Sequence, residues 1–141
     1  MSGSRYGADA RAWLSRALDD LKWSRHNLDG SFRREACFTS QQAAEKGLKA
    51  YLLAQGAPIR RTHSLVRLLR ECLAFDQGFG GYLTTCQTLD DYYAPTRYPD
   101  VVPAAEFTLE RAEAALAVSS ELVNFIRAKI QEKLGPEPSR R

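Results

Sequence analysis

FRREACFTSQQAAEKGLKAYLLAQ, residues 32–55, contains no proline and returns small side chains at Ala36, Ala43, Gly47, Ala50 and Ala54, at intervals of seven, four, three and four. Those intervals are the repeat of one face of an α-helix, and a face of small residues lets a second helix come close. A larger apolar stripe, Cys37, Ala44, Leu48 and Leu52, runs beside it, and Glu45 and Lys49 form an i,i+4 pair on its flank. The two stripes make an apolar arc wider than a coiled-coil seam, which is what a helix inside a bundle requires.

Outward from this stretch the same period recurs. Towards the N-terminus, Ala10, Trp13, Leu14, Ala17, Leu21 and Leu28 return at helical spacing, with Arg11, Arg16, Asp19, Lys22 and Arg25 on the wet side. Asp29, Gly30 and Ser31 form the turn, and Ser31 is the expected N-cap of the following helix. So short a connection makes the first two helices antiparallel neighbours. Towards the C-terminus, Gly56 and Pro58 end the second helix, and Thr62 is placed to cap a short third one on Leu65, Leu68, Leu69, Cys72 and Leu73. Three glycines around Phe79 open the chain before Tyr82, Leu83, Cys86 and Leu89 restart the period. Residues 92–103, YYAPTRYPDVVP, carry three prolines and no helical stripe. A last helix then runs to Leu134 on Leu109, Ala112, Leu116, Ser119, Val123, Ile126 and Ile130.

With 141 residues the chain has the size of one domain that buries roughly two thirds of its unfolded surface. The expected organisation is a flexible N-terminus over 1–7, a helical bundle over 8–134 and a flexible tail over 135–141. Ala, aliphatic and long charged residues dominate, and β-branched runs are almost missing, so the fold class is all-α. Cys37, Cys72 and Cys86 fall in or beside apolar patterns and form no CxxC, as expected of buried thiols in a reducing compartment. No apolar run reaches the ~20 residues of a membrane span, and residues 1–13 lack a signal peptide's apolar core, so a cytoplasmic protein is expected. Lys plus Arg exceed Asp plus Glu by 20 to 17, a net charge of +3 that permits nucleic-acid or nucleotide binding but does not argue for it, and DNA is not expected.

Candidate chemistry is sparse. The chain has two histidines and no zinc-ligand spacing, Gly-rich phosphate loop or nucleophile elbow, so no metal or cofactor is expected. The pairs Asp19–Asp20 and Asp90–Asp91 point about 100 degrees apart on a helix and cannot chelate alone. The surface with the right chemistry for an anion combines Lys46 and Lys49, three apart on one helix, with Arg60, Arg61 and His63 near the start of the third helix. If Thr62 caps that helix, free N–H groups lie beside His63 for a phosphate. Arg97 can supply a bidentate phosphate fork and Tyr98 a stacking face.

Ala17 with Asp20-Leu21, then Cys37-Phe38, Gln41-Gln42-Ala43-Ala44-Glu45-Lys46 and Leu48-Lys49-Ala50, then Arg61-Thr62-His63-Ser64-Leu65, and finally Tyr92-Tyr93 with Arg97-Tyr98-Pro99-Asp100 together resemble the HEPN domain family over about 8–133. The resemblance implies an up-and-down bundle of four long helices plus a shorter one, pairing as a homodimer. It also implies a separately encoded minimal nucleotidyltransferase as partner, in toxin–antitoxin arrangements. Other branches of the family are metal-independent ribonucleases with an Arg followed after four to six residues by a His. Here the positions that far before His63 are Gly56, Ala57 and Pro58, and those before His26 are Asp19, Asp20 and Leu21. The leading expectation is therefore a non-catalytic dimeric module that binds a nucleotide or a nucleotidyltransferase at Lys46, Lys49, Arg60, Arg61, His63, Arg97 and Tyr98. The alternatives are an endoribonuclease toxin using His63 with Arg60, Arg61 or Arg97, and a purely structural dimer.

Overall fold

The structure is a computed structural model that describes residues 2–93 and 106–138, with side chains over 5–93 and 106–138. Arg97 and Tyr98 lie outside the described residues. The described residues form an all-α, up-and-down bundle of five helices: α1 (Ser2–Asp29), α2 (Arg33–Ala54), α3 (Leu65–Leu73), α4 (Leu83–Asp90) and α5 (Leu109–Leu134), with a 3₁₀ turn (Gln77–Tyr82) before α4. No strand occurs among them. No helix among them is long and apolar enough to cross a membrane.

α2 is the central element and packs most extensively on α1, then on α5, with α3 and α4 covering its remaining side. Its small stripe does what its spacing predicts. A Cβ added at Gly47 would lie 3.3 Å from Ile126 Cδ1 and 3.4 Å from Val123 Cγ2, so the absent side chain sets the α2–α5 approach. Both stripes are buried inside the monomer. The width of the apolar arc is thus accounted for without a second copy of the chain.

Three serines tie the long helices together in the interior. Ser24 Oγ donates to Ala36 O at 2.8 Å and lies 2.7 Å from Ser40 Oγ, while Ser119 Oγ donates to Ser40 O at 2.6 Å. All three are fully buried. Since Ser24 gives its one hydroxyl hydrogen to Ala36, Ser40 is the donor between the two hydroxyls.

Two caps differ from expectation. Ser31 does not cap α2: it sits at φ 66° in the turn, and Phe32 is the N-cap without a side-chain hydrogen bond. The N–H groups of Phe32 and Ser31 return instead to Asn27 O and Leu28 O, closing the end of α1. Nor does Thr62 cap α3. Ser64 is the N-cap and accepts from Arg67 N, while Thr62 Oγ1 accepts from Ser64 N just ahead of the helix. The other end of α2 follows the sequence: Gly56, at φ 79°, donates to Leu53 O and Ala57 donates to Leu52 O, the paired bonds of a Schellman motif.

Candidate functional site

Gln41, Glu45 and Lys49 succeed one another at i, i+4 and i+8 and so form one polar line on the buried helix α2. Glu45 is its centre. The side chain is 6% exposed, and its two oxygens are divided between two bases: Oε1 lies 3.0 Å from His63 Nδ1 and Oε2 accepts from Lys49 Nζ at 3.0 Å. The pair expected on a flank is therefore buried, where an unpaired carboxylate would be costly and a doubly bonded one is tolerated. Gln41 Nε2 donates to the backbone carbonyl of His63 at 3.2 Å, fixing the loop that carries the imidazole. Gln41 Oε1 is in turn bonded by Gln42 Nε2 at 2.6 Å.

The His63 ring is stacked on Tyr93, with centroids 4.6 Å apart and planes 16° from parallel. Phe38 supports Tyr93 from α2, at 6.1 Å between centroids. The His63 side chain remains 55% exposed. An ionised carboxylate only accepts, so with Glu45 ionised Nδ1 donates the shared hydrogen, and a neutral ring then keeps its lone pair on Nε2. Nε2 has no hydrogen-bond partner among the described residues. An oriented imidazole with an open nitrogen can take a proton from a hydroxyl brought to it.

The other expected bases are distributed. Lys46 does not join Lys49; its Nζ is 2.6 Å from Asp20 Oδ2 on α1. Burial pushes the Asp20 carboxyl above its usual range, outweighing the Lys46 hydrogen bond that pulls it down. Arg60 is turned to Glu71 of α3, at 2.7 Å. Arg61 is exposed and makes no ion pair with a described residue. The structure thus unites Lys49 and His63 through Glu45, and engages Lys46 and Arg60 elsewhere.

The start of α3 is not an open anion site. Asp90 Oδ1 accepts from Leu65 N at 2.6 Å, and its Oδ2 accepts from Val66 N at 3.2 Å and faces Ser64 Oγ at 3.4 Å. The N–H groups expected to stand free beside His63 are occupied by this carboxylate. Among the described residues no group of three or more His, Cys, Asp and Glu side chains is placed to hold a metal ion. The residues sequence reasoning left out of the site are Glu45, Gln41, Tyr93 and Asp90. The i, i+4, i+8 polar line inside a small-residue helix was a readable signal for the first two; the pairings of Tyr93 and Asp90 bridge distant segments and have none.

Comparison with known proteins bears on this arrangement. The profile of the HEPN domain matches residues 10–130. "Putative toxin MJ1304" of Methanocaldococcus jannaschii is 24% identical over 139 residues, covering 89% of this chain and 91% of its own. The crystal structure of TT1696 from Thermus thermophilus is similar with a TM-score of 0.75 and 35% identity, over 85% of this chain and 97% of that one. The crystal structure of ST0689, described as an archaeal HEPN homologue, gives a TM-score of 0.71 and 32% identity over 86% and 97%. With the bundle, the α2 signature and the profile match over most of its length in agreement, the chain belongs to the HEPN domain family.

Proposed function

We propose that this HEPN domain is a toxin-type endoribonuclease that works without a metal, with His63 as the proton-accepting group and Glu45 as the residue that orients it. The observation that carries the reading is the Glu45–His63 pair: a buried carboxylate holding Nδ1 of a half-exposed imidazole whose Nε2 has no hydrogen-bond partner among the described residues. The toxin name of the archaeal relative supports it as well. The missing Arg-to-His spacing weighed against catalysis in the sequence, but orientation of the base can come from a carboxylate on a neighbouring helix instead.

In this mechanism Nε2 takes the proton of a ribose 2′-hydroxyl, and the freed oxygen attacks the adjacent phosphorus. The P–O5′ bond breaks, the 5′-oxygen takes a proton from water, and the products end in a 2′,3′-cyclic phosphate and a 5′-hydroxyl. Solvent then removes the proton from the imidazolium. Arg61, exposed two residues before His63 and without an ion pair among the described residues, is a cation for the phosphate charge. The domain acts as a homodimer, with a separate minimal nucleotidyltransferase as its antitoxin partner; both follow from the family resemblance.

The test is cleavage of a fluorogenic RNA in EDTA by wild type, His63→Ala and Glu45→Gln. Loss of general-base catalysis at His63 is expected to slow cleavage about 100-fold or more. Inactive wild type, or His63→Ala as active as wild type, rejects the ribonuclease reading. The missing Arg-to-His spacing then favours the second reading, a non-catalytic module that binds a nucleotide or the nucleotidyltransferase. Co-purification with mass identification of the bound protein and nucleotide distinguishes it from a purely structural dimer.

A further inference from the structure

Beyond Lys49 the polar line continues onto α1. Lys49 Nζ, 3.0 Å from Glu45 Oε2, also stands 5.7 Å from the centroid of the Trp13 ring, and Arg16 Cζ lies over the same ring at 5.5 Å. The indole of Trp13 and the imidazole of His63 are therefore joined through only two side chains. One of the two cations on Trp13 is fixed and the other is not. Lys49 is 7% exposed and tied to Glu45, whereas Arg16 is exposed and forms no hydrogen bond or ion pair with any described residue.

Trp13 is half-buried against the core, yet two cations lie against its ring. Trp23 has no such arrangement: it is 58% exposed and its ring contact is the edge of His26. An aromatic face flanked by cations is the combination that binds single-stranded nucleic acid, the ring taking a base and the cations the backbone.

We propose that Trp13 is a base-stacking platform and Arg16 a phosphate ligand for single-stranded RNA, extending the site from His63 across Lys49 to α1. When a base arrives, Arg16 leaves the indole for the neighbouring phosphate and the base takes its place. This rests on the RNA-directed reading of the Glu45–His63 pair and gives it a substrate class: an unpaired strand, since a base in a duplex has no free face to stack.

The experiment uses Trp23→Phe protein, which leaves Trp13 as the one tryptophan in the chain. It is titrated with a 2′-O-methyl oligoadenylate, which lacks the attacking hydroxyl and stays intact, and with an abasic strand of equal length and charge. The oligoadenylate is expected to quench Trp13 emission and the abasic strand to leave it unchanged. Adding Trp13→Leu should weaken oligoadenylate binding about tenfold or more, with abasic binding unaltered. Arg16→Ala should weaken both strands alike and flatten the salt dependence. Should Trp13→Leu fail to fold, the quenching and the Arg16→Ala arm decide. Equal quenching by both strands, no quenching at all, or unchanged affinity in Trp13→Leu overturns the inference. Binding with Trp13 quenching but no cleavage of ordinary RNA removes the ribonuclease reading alone; His63-dependent cleavage without quenching removes this inference alone.

Discussion

Asp90, the last residue of α4, closes the first turn of α3 by accepting the Leu65 N–H at 2.6 Å. This contact joins the segment that carries His63 to the segment that carries Tyr93, because His63 lies just before Leu65 and Tyr93 just after Asp90. Asp90→Ala removes the acceptor of two backbone donors and is expected to cost about 1–2 kcal/mol in urea denaturation. It should also reduce RNA cleavage, by loosening the stacked pair. Asp90→Asn retains an acceptor oxygen and is expected to recover most of both. A Trp-monitored urea curve for each variant, read with the cleavage assay, checks the pairing.

The serine tie between α1, α2 and α5 predicts an order of effects. Ser24→Ala removes the bond to Ala36 O and strands the Ser40 hydroxyl in the core, so a loss of about 2 kcal/mol is expected. Ser119→Ala removes one bond to a carbonyl, and about 1 kcal/mol follows. Denaturant midpoints that come out in the reverse order would show that the hydroxyls are not connected in this way.

Gly47 tests the α2–α5 approach. Alanine gains about 1 kcal/mol of helix propensity but its Cβ meets the Ile126 and Val123 methyl groups at 3.3 and 3.4 Å, so the two effects nearly cancel. Leucine has no such space and is expected to cost about 3 kcal/mol or to unfold the domain. Thermal melts of Gly47→Ala and Gly47→Leu separate close packing from propensity.

The tail past α5 contributes a pH-dependent clamp. Glu137 accepts from Arg127 Nε at 2.6 Å and Nη2 at 2.8 Å, and the Arg127 hydrogen bond holds its carboxyl below the usual glutamate range of about 4.5. A lowered folded-state value means stability that is present above pH 4.5 and is lost as the pH falls through the folded value. Glu137→Gln should therefore be less stable than wild type at neutral pH, with the difference shrinking below pH 4.5 and vanishing once the wild-type carboxyl is protonated. A difference that persists undiminished at strongly acid pH would remove the ion pair as its cause.

Cys37, Cys72 and Cys86 are buried and free. Burial pushes the Cys37 thiol up to about 11 and that of Cys86 up to about 12, and raises Cys72 as well. Thiolate is the reactive form, so no cysteine should react with a disulfide reagent at about pH 8 in the folded protein, and all of them should react in guanidinium.

The bundle was legible in the sequence because helical period and small-residue spacing are local, and α2 records both within one stretch. The caps were less so. Ser31 and Thr62 have capping chemistry, but the turn puts Ser31 at positive φ, and Ser64 and Asp90 take the role given to Thr62. The site was half legible: His63 and Lys49 stood out by residue type, while their common partner Glu45 read as one half of an i,i+4 pair on the flank of the helix. Charge alone does not reveal that a carboxylate is buried; that depends on the loop after α2 folding back over it.

Placing Gln41, Glu45 and Lys49 on the most enclosed helix also divides the site by mobility. The floor belongs to the helix packed on both other long helices, whose amides are expected to exchange only when the whole domain unfolds, whereas His63 and Tyr93 lie on segments outside it, before α3 and after α4. A ligand entering the site therefore meets a carboxylate and a lysine on that helix beneath two rings carried by other segments. Hydrogen exchange in the presence of RNA should slow around His63 and Tyr93 and leave the α2 amides as they were.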